Sequence, residues 1–312
     1  MSALTRLGIP LSTEKSISYA QQQTDSAFGF KWSKRDTYES EASQRNTRNW
    51  LMERYCSNNV DLLDQWLDGE RKIILDAGCG AGNSGLLFFG KHLLRHDYLG
   101  VDISSSVEVA RQRFEEANIP GDFFRGDISS LDIPDDSVDI IFSEGVLHHT
   151  DCTESTLSHL TSKLKPGGRF LFYVYKKKAV VREFTDDAIR ASIEPLSDEE
   201  AWESLKSLTS LGITLGKANC YIDIEEPIPL LGIEPGRIDI QRFFYWNICK
   251  AFYNPELTFD EMHHINYDWY RPLNCHRHTP SEVQSWCYKL NLTIENMDIG
   301  DSGITVVATK SI

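Results

Sequence analysis

The sequence predicts an α/β fold with a doubly wound, mostly parallel sheet. Three observations carry that expectation: short apolar runs and helical stripes alternate from about residue 73 to 175, a glycine cluster follows the first run, and acidic residues stand at the ends of successive runs.

The elements follow in order. Residues 1–70 are polar with isolated large apolar groups (Phe28, Phe30, Trp32, Trp50, Leu51, Tyr55, Trp66), which predicts an N-terminal helical segment lying on something else. Ile73-Ile74-Leu75 is a short apolar run ending in Asp76 and glycines, the pattern of a buried parallel strand entering a tight turn. Further strands are expected at Tyr98–Val101, Asp122–Phe124, Val138–Phe142 and Arg169–Tyr175. Between them, Val107, Ala110, Phe114 and Ala117 form one helical stripe, and Leu157, Leu160 and Leu164 another. After Tyr175 the alternation stops, and the composition turns aromatic and proline-bearing, as in Phe243-Phe244-Tyr245-Trp246. Thr279-Pro280-Ser281-Glu282 is a helix start, and Leu292–Ile299 and Ile304–Thr309, joined by Gly300-Asp301-Ser302-Gly303, read as an antiparallel hairpin closing the sheet. The expected organisation is an N-terminal helical lid (1–70), a ligand-binding core (71–178), a large insertion after the fifth strand (179–278), and a C-terminal helix and hairpin completing the core (279–312).

Composition narrows the functional classes. The chain has 312 residues, 41% hydrophobic and 25% charged, which fits a folded globular protein and not a disordered or disulfide-dense one. Its 32 Lys and Arg against 46 Asp and Glu give a net charge of −14, which repels a phosphate backbone, so nucleic acid is not an expected partner. The seven cysteines are scattered and never spaced C-x-x-C, which fits a reducing compartment. Residues 1–18 lack the apolar stretch of a leader, and no apolar run approaches a membrane span, so the expectation is a cytoplasmic protein without a membrane partner. Nothing in the sequence fixes its oligomeric state.

The chemistry concentrates at the strand ends. Leu75-Asp76-Ala77-Gly78-Cys79-Gly80-Ala81-Gly82-Asn83 joins a strand to a helix, where a ligand can approach the backbone closely. A dinucleotide fingerprint would place glycine at 83 and would not ask for Asp76, whose charge suits a cationic ligand group better than a pyrophosphate. Asp102, in Gly100-Val101-Asp102-Ile103-Ser104, lies 20 residues after Gly82, where a carboxylate accepts hydrogen bonds from ribose hydroxyls. Gly126-Asp127-Ile128 ends the next strand, and Phe142-Ser143-Glu144-Gly145-Val146-Leu147-His148-His149 the one after.

In this combination the chain resembles the class I S-adenosylmethionine-dependent methyltransferases, a Rossmann-like family, and in particular the type 11 group whose fourth motif is of the "VLHH" type. The likeness covers residues 73–175 and resumes weakly at 279–309, and Lys165-Pro166-Gly167-Gly168 is part of it. The resemblance implies S-adenosylmethionine as cofactor. It implies that Gly78, Gly80 and Gly82 shape the turn around its methionine portion with Asp76 near the amino group. Asp102 and Ile103 would serve the ribose, Asp127 and Ile128 the adenine, and the Ser143–Glu144 backbone would face the sulfonium.

The expected activity is methyl transfer to a small-molecule acceptor, with O- or N-methylation favoured. The rivals are a methyltransferase of a protein or glycan and a non-catalytic donor-binding subunit. An activated methyl needs alignment and exclusion of water, and a neutral acceptor must also lose a proton. His148 and His149 are candidates for that base, or else pack on the donor; His264 is a third. Trp32, Tyr245, His263, Trp269, Tyr270 and Arg277 are the candidate acceptor-binding residues, aromatics with a few polar groups being what a small-molecule pocket needs. The insertion is expected to fold over the ligand edge, and Phe28–Trp32 to act as a lid, with Lys31, Arg35 and Arg45 available to a carboxylate. No metal is expected: a site could be built from His263-His264 and Cys275-His276-Arg277-His278, but adjacent histidines share no face on a helix or a strand, so only a loop would converge them. Gly85–His92 nearly spells a phosphate loop, but His92 replaces its Ser or Thr and the interior is bulky, so it reads as a helix face.

Overall fold

The computed structural model describes residues 7–8 and 17–312, so the reading of residues 1–18 falls largely outside the described residues. The elements in chain order are α1 (Tyr19–Ser33), α2 (Glu41–Cys56), α3 (Val60–Leu67), β1 (Ile73–Ala77), α4 (Asn83–Phe89), β2 (Asp97–Asp102), α5 (Ser106–Glu116), β3 (Asp122–Arg125), β4 (Val138–Glu144), α6 (Thr153–Lys163) and β5 (Leu164–Tyr175). Then come α7 (Val180–Ile193), α8 (Asp198–Lys217), β6 (Tyr221–Ile224), β7 (Gly236–Asp239), α9 (Ile240–Asn247), α10 (Phe259–Tyr270), α11 (Pro280–Lys289), β8 (Leu292–Ile299) and β9 (Gly303–Lys310).

Seven strands form one sheet in the order β3-β2-β1-β4-β5-β9-β8. The first five pair in parallel, and β9 and β8 add as an antiparallel pair. This is the Rossmann-like sheet that the strand–helix alternation implies. All five residues of β1 are buried, which is why the strand reads as a continuous apolar run instead of an alternating one. Its side chains divide between two cores by the two-residue period of a strand: Ile73, Leu75 and Ala77 enter one cluster with Ile141 and Phe172, while Ile74 enters the other with Ile140 and Phe142. The order reverses between β1 and β4, and a crevice at the carboxyl ends of such strands is where open α/β sheets bind ligands. The Gly85–His92 stretch is helical as expected, split between α4 and a 3₁₀ turn at Gly90–Leu94.

The described residues divide into two compact units: those of 7–8, 17–33, 44–176 and 274–312 form the first, and residues 34–43 and 177–273 the second. These boundaries differ from the expected ones: the described part of 1–33 and residues 44–70 share a unit with the core, residues 177–178 fall in the second unit, and two further stretches change sides. Residues 274–278, expected in the insertion, lie in the first unit, because His276 N donates to His148 O at 2.9 Å and His278 N to Tyr175 O at 2.8 Å. Residues 34–43, expected with the N-terminal segment, join the second unit.

The second unit holds α7 to α10 and a two-stranded sheet of β6 and β7. Its centre is Asp186, whose carboxylate accepts from Arg182 Nε at 2.5 Å, Trp269 Nε1 at 2.8 Å and Tyr270 Oη at 2.7 Å. Both Arg182 and Asp186 are buried, so each charge depends on the other. Arg271 donates to the carbonyls of Ile193 and Leu196, closing the C-terminus of α7, and pairs with Asp198 at 2.7 Å. Capping boxes start α8 at Ser197 and α10 at Thr258.

Candidate functional site

The glycine turn after β1 is shaped from both sides. Gly78 and Gly80 hold φ of +89° and +51°, in the left-handed region that favours glycine. A side chain at Gly78 would also strike Val146, and one at Gly80 would meet the Trp32 indole at 2.9 Å. The turn is tied to β2, since Gly78 N and Cys79 N both donate to Val101 O, at 2.7 and 3.0 Å, and Gly80 N donates to Asp102 Oδ2 at 2.8 Å. Asp102 Oδ1 accepts from Ser104 N and Ser104 Oγ, at 2.9 and 2.7 Å. One carboxylate thus fixes the loops after β1 and β2, while lone pairs not used in these bonds can still accept from a ligand. Ile103 follows it, and its carbonyl accepts from Arg125 at 3.0 Å.

Asp76 is buried, and its carboxylate accepts from the Tyr98 hydroxyl. Burial pushes its pKa up to about 7; the Tyr98 bond works against that rise, and the charges of Asp102 and Glu144 add to it. A buried acid with no cation beside it among the described residues is suited to a cationic ligand group. Asp127 caps the 3₁₀ turn at Ile128–Ser130, accepting from Ser129 N and Ser129 Oγ at 2.8 and 2.7 Å. Ile128 is buried in the core beneath. At the end of β4, Ser143 Oγ donates to Ala77 O at 2.8 Å, binding β4 to β1. Glu144 pairs with Arg54 at 2.6 Å and accepts from Tyr55; burial raises its pKa, opposed by those two partners.

His148 is fully buried, with its ring 3.6 Å from that of Tyr175 and 4.3 Å from that of His149. His149 Nδ1 lies 2.5 Å from Asn274 O, and since a carbonyl only accepts, the proton sits on Nδ1 and the lone pair on Nε2.

Helix α1 crosses the same edge. Ser18 Oγ, just before it, donates to Asp151 Oδ1 at 2.8 Å, and Asp25 pairs with Arg125 at 2.9 Å. The Phe28 ring is 5.1 Å from His149, a side chain at Gly29 would lie 3.1 Å from Ser105 Oγ, and Trp32 stands against Gly80. The helix and the residue before it therefore touch the loops after β1, β2 and β4 and the last residue of β3. Lys31, expected near a carboxylate, is buried with its ammonium 3.9 Å from the Trp32 ring centre. Arg35 instead pairs with Glu39 within the second unit.

The remaining candidates divide by unit. Arg277 is in the first, its guanidinium donating to Cys275 O at 2.9 Å. Tyr245, His263, His264, Trp269 and Tyr270 are buried in the second. His263 spends both ring nitrogens, on Thr209 Oγ1 and Trp202 O at 2.9 Å each, and burial lowers its pKa to about 4. It has no donor or acceptor left for an acceptor molecule. His264 bonds Thr37 Oγ1 at 2.8 Å and packs on Tyr38. Trp269 and Tyr270 serve Asp186, and the Arg182 guanidinium lies over the Tyr245 ring. Among the described residues no group of three or more His, Cys, Asp or Glu could hold a metal ion, and no helix is long and apolar enough to cross a membrane.

Residues 75–172 match the model of a methyltransferase domain. Over 103 residues the chain is 33% identical to the malonyl-[acyl-carrier protein] O-methyltransferase of Yersinia pestis, covering 32% of this chain and 35% of that one. Over 102 residues it is 40% identical to an S-adenosyl-L-methionine-dependent Diels-Alderase of Talaromyces variabilis, covering 31% and 34%. The chain thus spans about a third of the length of these two relatives. Among solved structures, the 1,6-didemethyltoxoflavin-N1-methyltransferase of Burkholderia thailandensis is similar at 14% identity and a TM-score of 0.46, over 96% of this chain and 94% of that one.

Proposed function

From a core that belongs to the class I S-adenosylmethionine-dependent methyltransferases, we propose that the protein transfers a methyl group from S-adenosylmethionine to a small-molecule acceptor, at oxygen or nitrogen. The observation that carries this reading is the convergence of Asp76, the Gly78–Gly82 turn, Asp102 and Asp127 on one sheet edge that α1 crosses. The donor supplies an activated methyl when bound. The rest of the work falls to the chain's own residues.

Asp102 accepts from the ribose hydroxyls, Asp127 and the Ile128 backbone serve the adenine, and Asp76 faces the ammonium of the methionine portion. Gly78 and Gly80 let the backbone come close to that portion. Of the two turn histidines, His149 is the better base, because the Asn274 carbonyl holds its proton on Nδ1 and leaves Nε2 to take one from the acceptor. His148, packed on Tyr175, holds the turn. Trp32, with the rest of α1, covers the edge and excludes water, which favours transfer from a charged donor. Since Trp269 and Tyr270 are committed to Asp186, the proposed acceptor contacts are those of the first unit: Trp32, His149 and Tyr175.

The test is a screen with donor labelled in the methyl group against fractionated metabolites. Label should appear in a small molecule and be lost with Asp102→Ala. Label found only in protein or glycan would overturn the small-molecule reading, and no transfer at all despite donor binding would favour a non-catalytic subunit.

A further inference from the structure

The contacts that place the proton on His149 lead back to helix α1. Residues 274–278 run as a strap along the turn that carries the two histidines, and side chains hold both of its ends. Asn274 Nδ2 donates to Asp151 Oδ1 at 2.9 Å, and His278 Nε2 lies 3.0 Å from Thr153 Oγ1. Between them His276 N donates to His148 O. Asn274, only 8% exposed, is thereby fixed where its carbonyl meets His149 Nδ1 at 2.5 Å. The same Asp151 oxygen accepts from Ser18 Oγ at 2.8 Å. Ser18 stands immediately before α1, and its hydroxyl accepts from Gln21 N at 3.0 Å as a helix cap does. That bond uses a lone pair and leaves the hydroxyl proton for the carboxylate. Further along the same helix, the Phe28 ring packs edge-on against His149 itself.

We propose that Asp151 and Asn274 are positioning residues for the His149 base, and that Ser18 couples them to α1, so that the base is set when the helix is seated over the ligand edge. The role of the base rests on the methyltransferase reading. A neutral histidine in water carries its proton mainly on Nε2, so a ring held with the proton on Nδ1 needs an acceptor fixed at that nitrogen. A backbone carbonyl serves only while its residue stays in place. Asn274 is the first residue of its unit after the insertion, and its own side chain, tied to Asp151, is the anchor nearest that carbonyl. Asp151 is exposed, and two donors on one oxygen hold its side chain in place against competing water. Release of Ser18 removes one of them. Coupling of this kind is reciprocal: loosening α1 disturbs the base, and loosening Asp151 disturbs α1.

The experiment uses the full chain with nitrogen-15-labelled histidine, at an alkaline pH where the rings are neutral. Long-range proton–nitrogen spectra report which ring nitrogen carries the proton, and the His149 signals are those lost in His149→Gln. The parent should show the proton on Nδ1. Asp151→Ala and Asn274→Leu, folded by circular dichroism, should each raise the share protonated on Nε2 by roughly threefold or more, as for the loss of one hydrogen bond. Asp151→Asn, whose amide oxygen still accepts, should keep the parent pattern, which a merely structural loss would not explain. Ser18→Ala should move the His149 spectrum in the same direction as Asp151→Ala, and both should speed proteolytic cleavage within α1. A parent ring protonated on Nε2 overturns the proposal. So does an Asp151→Ala or Ser18→Ala spectrum like that of the parent, or an Asp151→Asn spectrum like that of Asp151→Ala. Calorimetry with S-adenosylhomocysteine is a separate readout: failure of the parent to bind it overturns the methyltransferase reading, while the spectra still decide the coupling.

Discussion

The Trp32 indole closes directly on Gly80: a single methyl group added to that glycine would lie 2.9 Å from the indole nitrogen. Helix α1 and the glycine turn are thus fitted to each other at the point proposed for the donor's methionine portion. Gly80→Ala should weaken S-adenosylhomocysteine and raise proteolysis within α1. The left-handed backbone alone costs roughly 1–2 kcal/mol for a residue with a side chain, before Trp32 has to move. Unchanged affinity and unchanged cleavage would show that the fit has no bearing on the donor.

A second expectation concerns protons. Asp76 has a folded pKa of about 7 against an ordinary 3.8, so its contribution to stability is present below about 4 and is lost as pH rises through about 7. The ligand-free protein should lose stability across that window, and Asp76→Asn, which can still accept from Tyr98, should flatten the profile. A donor ammonium would reverse the cause of the shift. Calorimetry near pH 7 in buffers of different ionisation enthalpy should then show release of about half a proton on donor binding. Identical heats in all buffers would place the ammonium elsewhere.

His149 and His148 should behave differently. Removing a base lowers turnover by about 10²- to 10⁴-fold with little change in donor affinity, which is the outcome expected for His149→Gln once an acceptor is known. His148→Asn should instead lower the melting temperature, because its ring is packed against Tyr175 in a fully buried position. Equal kinetic losses with equal stability would remove the distinction.

The second unit should stand or fall on Asp186. Truncating it to Ala leaves Arg182 buried and uncompensated and removes the acceptor for Trp269 and Tyr270, a loss of about 3–5 kcal/mol by the measure of broken buried pairs. A melting curve unchanged from the parent would contradict that network.

These residues also mark what could be read from the sequence. The sheet was legible because a parallel strand buried on both faces leaves an unbroken apolar run, as in Ile73-Ile74-Leu75, and because polar ligand groups gather at the strand ends. The helices of 180–270 were harder to see. The buried stripe of α8 is Ala201, Trp202, Leu205, Thr209 and Gly212, and its later members are small or polar because Gly212 packs against the carbonyls of Ala251 and Phe252 and Thr209 bonds His263. Trp269 and Tyr270 looked like pocket residues by composition, yet their polar atoms turn inward to a carboxylate 83 and 84 residues earlier, a pairing no local pattern announces. Arg54 went unremarked for the same reason. Its partner Glu144 is 90 residues away, and only folding brings Tyr173 against it beside Trp50.

The most direct test of the account is a calorimetric titration of S-adenosylhomocysteine into the parent protein and into Asp102→Ala. The account predicts one site per chain in the parent and a loss of about 1.5–3 kcal/mol of affinity in the variant, the range for hydrogen bonds to a charged group, with the fold intact by circular dichroism. Absence of heat in the parent, alongside binding of a nicotinamide dinucleotide, would contradict it.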